Sequence, residues 1–199
     1  MIDKLKGILI NTLTKNLKGY ILISTVFLAG ICLSCFLNIS PGSEEEIKLY
    51  AEDFISNVKN YTTDSKRTFL NAFSGYIKTV FFLMICSFTL IGSAGVIFWT
   101  FLKGFSYGAV FTSLFSTVGT EAVLLLLSAV FPHILIVAPC FLMYGTFCMI
   151  NSFEMLKGMK NAKKLFAAPL IYGTLAVALF SVASVIQAFI EPVLIRILN

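Results

Sequence analysis

Glu121 and His133 are the two titratable side chains set in apolar sequence between Lys103 and Glu154. Exposing an ionisable group to lipid costs several kcal/mol, so such residues mark a relay, a partner contact or an interface. A proton or ion relay needs them close together. Twelve residues separate them, so they meet only if the chain turns in between. The alternative is that both sit at a membrane interface and reach water. Other chemistries fail on residue count. A zinc peptidase needs paired histidines and a carboxylate on one face, and the chain has one histidine. No GxSxG element is present, and no serine has an evident base. Asp3, Asp53 and Asp64 lie outside the apolar stretches, so no intramembrane aspartate pair forms. There is no lysine-containing phosphate loop. Cys32-Leu-Ser-Cys35 has redox spacing but no charged neighbour to activate a thiol. Cys86, Cys140 and Cys148 also lie in apolar segments, where cysteine is a small hydrophobe. The expectation is a non-enzyme with no catalytic residue, no metal ligand and no cofactor.

The elements that would position these groups are membrane helices. Of the 199 residues, 58% are hydrophobic and 13% charged, with a mean hydropathy of +0.90. Soluble domains carry about 25% charge. The charges are clustered and leave stretches near 20 residues with none, long enough to span the hydrocarbon core as helices. The net charge of +5 does not indicate nucleic acid, because most lysines flank apolar segments and no binding motif accompanies them.

An all-α integral membrane protein with about five transmembrane helices is therefore expected, as one membrane domain over 1–199. Lys4, Lys6, Lys15 and Lys18 with Leu5, Ile8, Leu9 and Leu13 make a basic amphipathic lead-in, suited to an anionic membrane surface. The first span covers 20–38. Residues 39–78 form an outer amphipathic segment, with extracellular helices within 43–77. Ser43 and Glu46 make a capping box, and Thr62, Thr63 and Asp64 a second cap. Tyr50 and Phe54 fall on one apolar face and Phe69 and Phe73 on another. These faces rest on the membrane or dock a partner. The second span covers 79–102, with Gly92 and Gly95 as packing positions at its middle, and Lys103 marks a basic turn. Gly104 and Gly108 form a GxxxG that permits close helix approach. The stretch near 105–132 is irregular: a third span over 105–118 followed by an interfacial helix, or one bent or re-entrant span over 105–131. The fourth span covers 133–152, with a kink at Pro139. A cytoplasmic loop at 153–164 carries Lys157, Lys160, Lys163 and Lys164. The fifth span, 165–190, ends at Glu191-Pro192.

Basic residues orient the spans. Four lysines precede the first span, one stands at Lys103 and four lie in the 157–164 loop. The positive-inside rule makes these places cytoplasmic. Five crossings then put the N-terminus inside and the C-terminus outside.

Three places carry a family resemblance. Phe27-Leu-Ala-Gly30 through Cys35-Phe-Leu-Asn38, Phe101-Leu-Lys-Gly-Phe-Ser-Tyr-Gly108, and Phe131-Pro-His-Ile with Ala138-Pro139 resemble, in order and spacing, the stage II sporulation protein M family. Many relatives carry an acid shortly after the proline–histidine pair, where this chain has Ile136-Val137. The resemblance implies a role in endospore formation. It implies a multi-pass protein in the mother-cell membrane at the septum, which assembles a complex with stage II sporulation proteins D and P. Those partners are single-span peptidoglycan-degrading enzymes, and the complex drives engulfment. The M protein would supply no hydrolysis; its contacts would be membrane lipid, these partners and, as an open possibility, further copies of itself. A second reading, from the irregular 105–132 stretch and Glu121, is a permease-like subunit working with a cytoplasmic ATPase.

Overall fold

Backbone polar groups within a bilayer find no water, so each span must satisfy its own hydrogen bonds, and helices do so. The computed structural model describes residues 16–37, 65–89, 91–118, 131–156 and 162–193. Among them it shows five long helices and no strand: α1 (Leu17–Leu37), α2 (Ser65–Ser87), α3 (Gly92–Val118), α4 (Phe131–Leu156) and α5 (Ala162–Val185). A π-helical turn, Ile186–Ile190, follows α5 directly, and helix resumes to Val193. All five are long and apolar enough to cross a membrane, α3 over Gly92–Thr112 and the last over Pro169–Val193. The chain is a multi-pass, all-α membrane protein.

Contacts between helix ends set the arrangement. Near the start of α1, Gly19 faces Thr146, Met149 and Ile150 of α4. At the same end Asn151 of α4 bonds Ser87, the last residue of α2. The start of α1, the α2–α3 turn and the C-terminus of α4 thus form one end of the bundle, called here the near end. His133 and Glu191 meet at the other, the far end. α1 and α3 run parallel, because Gly104 packs on Phe27 and Gly108 on Ile31. The core lies between the helices and includes Ile23, Leu83, Val96, Phe141, Cys148 and Phe180. α4 contributes more buried residues than any other described helix, as a central element should.

The number of spans agrees with the sequence reading, but several boundaries do not. The uncharged 79–102 stretch is not one span. It is divided between α2 and α3, joined by a tight turn in which Gly92 N–H donates to Thr89 O at 3.1 Å and Thr89 N–H to Cys86 O at 3.2 Å. Gly92 opens α3 rather than sitting in mid-span, and the tight turn requires glycine there, since a Cβ would overlap Cys86 O and stand 2.6 Å from Thr89 Oγ1. Hydropathy alone cannot see this turn, since its residues are as apolar as the helices they join. The second correction follows from the first. Lys103 occupies no basic turn; it lies inside α3, which runs unbroken through the supposed boundary at 103–105 to Val118. Phe69 and Phe73 belong to α2 itself, not to a separate outer helix. The last span extends past 190 to Val193. Pro139 lies within α4, and α4 continues on both sides of it.

Candidate functional site

Two polar residues that neither lipid nor a hydrophobic core would favour are brought together at the far end. His133 stands on the first turn of α4 and Glu191 just beyond the π turn, 7% and 5% exposed. His133 Nδ1 lies 2.5 Å from Glu191 Oε1, a short hydrogen bond between the ring and the carboxyl group. The π turn helps to place this carboxylate. Glu191 N–H donates to Ile186 O, five residues back, which closes the widened turn. Such turns inside α-helices recur at functional sites. Gln187 lies within it, and Tyr76 Oη of α2 donates to Gln187 Oε1 at 3.4 Å. The Tyr76 ring stacks on Phe180, centroids 5.1 Å apart. Residues from α2, α4 and the end of α5 therefore converge on one polar cluster, with His133 and Glu191 buried and Tyr76 and Gln187 half-buried. It can fasten three helices together, and it can hold a proton in a site closed to lipid. Among the described residues no group of three metal-ligating side chains forms.

The near end is fastened differently. Asn151 Nδ2 donates to Ser87 O at 3.1 Å and to Ser87 Oγ at 3.0 Å. Ser152 Oγ donates to Thr89 O at 2.7 Å and accepts Ser93 N–H at 3.0 Å. These bonds tie α4 to both sides of the α2–α3 turn and satisfy backbone groups that the turn frees.

Between the two ends runs a glycine seam. A Cβ on Gly104 would fall 3.0 Å from the carbonyl carbon of Phe27. On Gly108 it would fall 2.6 Å from Ile31 O and 2.8 Å from Ser34 Cβ. Gly30 reciprocates from α1, its Cβ position 2.9 Å from Phe105 N. Backbone therefore meets backbone, the contact that small residues permit between membrane helices. The GxxxG joins α3 to α1 within the chain. Gly95 lies against Cys86 Sγ of α2, its Cβ position 3.0 Å away.

Of the residues singled out from sequence, His133, Gly92, Gly95, Gly104 and Gly108 have the places just given. Phe69 and Phe73 stack along α2, centroids 5.6 Å apart. Glu121, Tyr50 and Phe54 lie outside the described residues, as do the lead-in over 1–15, both proposed caps and the loop over 157–161. Glu191 was read only as a span terminator, yet it is the partner of His133. Its signal was present: an acid at the end of an apolar segment is subject to the same lipid penalty that singled out His133. Asn151 and Ser152 carried a weaker signal, as polar residues near the end of a long apolar run.

Compared with known proteins, the chain matches the model of the family described as stage II sporulation protein M, over residues 23–192. No curated protein matches it, and no solved structure does.

Proposed function

The chain belongs to the stage II sporulation protein M family, and on that premise we propose that it is a non-enzymatic membrane scaffold. In this reading it assembles and localises a peptidoglycan-degrading complex at the sporulation septum during engulfment. Its partners are stage II sporulation proteins D and P, and its place is the mother-cell membrane. The near end faces the cytoplasm, in line with the basic residues flanking it in sequence, and the far end faces the wall.

What supports the reading most is where the polar groups go. His133 with Glu191, Asn151 with Ser87 and Ser152 with Thr89 are satisfied inside the bundle. Most of the outer surface is left to apolar side chains such as Ile21, Leu28, Phe98, Leu135, Ile171 and Val182, all exposed, with a polar stripe along α2 as the main exception. A block fastened at both ends and largely apolar outside is suited to gathering the single spans of other proteins. Membrane helices associate by packing and by interhelical hydrogen bonds. The test is co-purification from sporulating cells. The intact chain should retain D and P through detergent extraction; a chain that retains neither overturns the scaffold.

One observation favours a permease-like second reading, namely the buried His133–Glu191 pair beside a π turn. A relay through that pair predicts failed engulfment in both His133→Ala and Glu191→Gln cells while protein levels stay normal. Normal engulfment in both strains removes this reading.

A further inference from the structure

The far half of α2 exposes polar side chains where a lipid-facing helix should be apolar. Arg67, Asn71, Ser74 and Lys78 are all exposed, and their spacing of four, three and four residues sets them on one face. Nearer the α2–α3 turn the same face becomes Phe81 and Ile85, both exposed. Val80 and Leu83 occupy the opposite face and belong to the core. The polar stripe therefore points away from the bundle, and it ends at Lys78.

A second cation stands beside that end. Lys103 lies next to the midpoint of the Gly92–Thr112 span. Its neighbour Gly104 touches Phe27, the midpoint of α1, so two registers put Lys103 at mid-depth. About 16 Å of helix separates it from the start of α3, more than the four-carbon stem of a lysine can cover. It is half-buried, with its ammonium 5.8 Å from the Trp99 ring centroid. The rings of Phe82 and Trp99 pack at 4.4 Å across the α2–α3 contact. Lys78 is one turn beyond Phe82 toward the far end, and Lys103 one turn beyond Trp99 in the same direction. Helical register thus brings the two lysines to one level at the rim of this contact. Neither has an acidic partner among the described residues. Trp99 Nε1 is buried there with no acceptor among the described residues.

We propose that Lys78 and Lys103 form the docking point for a partner's transmembrane helix that carries a carboxylate near the middle of its span. Two cations at mid-depth with no acidic partner among the described residues are costly in lipid, and a carboxylate in a neighbouring helix is costly for the same reason. Contact relieves both. Gly75, on the same exposed side, has nothing within 4 Å of its Cβ position and leaves room for close approach. Arg67, Asn71 and Ser74 then offer polar contacts where the partner helix leaves the membrane. This inference rests on the scaffold reading and names the chemistry of the surface it needs.

The test places the full chain in phosphatidylcholine–phosphatidylglycerol vesicles with a dye-labelled leucine–alanine membrane helix bearing one central glutamate. Energy transfer should show it binding at least tenfold more tightly than the same helix with glutamine. The Lys78→Leu/Lys103→Leu variant should lose that preference, and Lys78→Arg/Lys103→Arg should keep it. Equal binding of the two helices, or a preference that survives the leucine variant, overturns the site. So does a disulfide between Lys78→Cys and a cysteine placed within 44–53 that shows the chain's own acidic segment already seated there. Co-purification separates the two levels of the argument. If D and P are retained equally by wild type and the leucine variant, the site falls and the scaffold stands. If wild type retains neither, the scaffold falls, and the vesicle preference alone decides the lysine site.

Discussion

His133 Nδ1 and Glu191 Oε1 are hydrogen-bonded at 2.5 Å, and this contact joins the first turn of α4 to the last turn of the final span. The two residues are 58 positions apart, and each alone would be an expensive group to bury. Together they make a far-end fastening that complements the Asn151–Ser87 bonds at the near end. α4 is pinned at both ends, which fits its place at the centre of the bundle.

Breaking that pair by removing one member should hurt more than replacing both. His133→Ala leaves the Glu191 carboxylate buried without its donor, and breaking buried pairs in this way costs about 3–5 kcal/mol. Replacing both residues by apolar ones of similar volume is often neutral or stabilising. His133→Leu/Glu191→Met should therefore regain most of the stability that His133→Ala loses. Thermal unfolding in a mild detergent measures it. A double variant as weak as the single would show that the pair does more than fasten helices.

The glycines should separate into two classes. At Gly108 a Cβ would stand 2.6 Å from a carbonyl oxygen of α1, and rigid backbone cannot yield. Gly108→Ala should destabilise by about 1–3 kcal/mol, as overpacking does, and Gly108→Leu should prevent the α1–α3 contact altogether. Gly75→Ala meets open space on a helix surface and should stabilise by about 0.5–1 kcal/mol through backbone entropy. Unfolding curves of the purified variants decide this. Loss at Gly75 equal to that at Gly108 would count against the seam.

How far the sequence could be read follows from what each signal measures. Hydropathy reports burial from water, so it found the spans and their number. It could not find the α2–α3 turn, because Phe88, Thr89 and Ile91 differ little in hydropathy from the helix residues around them. Lys103 misled for a related reason: a lysine in membrane sequence reads as a loop, and the structure puts it in mid-helix. The GxxxG at Gly104 and Gly108 announced a close contact, but only the fold could name α1 as its partner. His133 was conspicuous as the one histidine, whereas its pairing with Glu191 depends on α4 and α5 running antiparallel, a long-range fact no local pattern encodes.

Thiol reactivity should follow position in the bundle. Cys32 is exposed, whereas Cys86, Cys140 and Cys148 are buried. In detergent a small maleimide should label Cys32 first, Cys35 more slowly, and the other three only after unfolding, since reaction requires access of the reagent to the thiolate. Mass spectrometry of peptides against time reads the order. Early labelling of Cys148, which lies within the core beside Tyr144, would contradict the packing of α4.

The near-end turn offers the sharpest local prediction. Ser152 Oγ bonds Thr89 O and Ser93 N–H, so Ser152→Ala leaves Ser93 N–H without its partner and Thr89 O with only the Gly92 N–H. Asn151→Ala removes the two bonds to Ser87. Interhelical side-chain bonds in membrane bundles contribute about 0.6 kcal/mol on average and up to about 1.7, so either variant should lose roughly 1–3 kcal/mol. The loss should be local. Amide exchange at Ser93 should quicken about tenfold or more in Ser152→Ala, the factor that about 1.4 kcal/mol of easier opening gives. Exchange in the middle of α1, held by the glycine seam, should stay unchanged. An increase spread evenly over all five helices would mean that the turn is not an independent fastening, and that the bundle opens only as a whole.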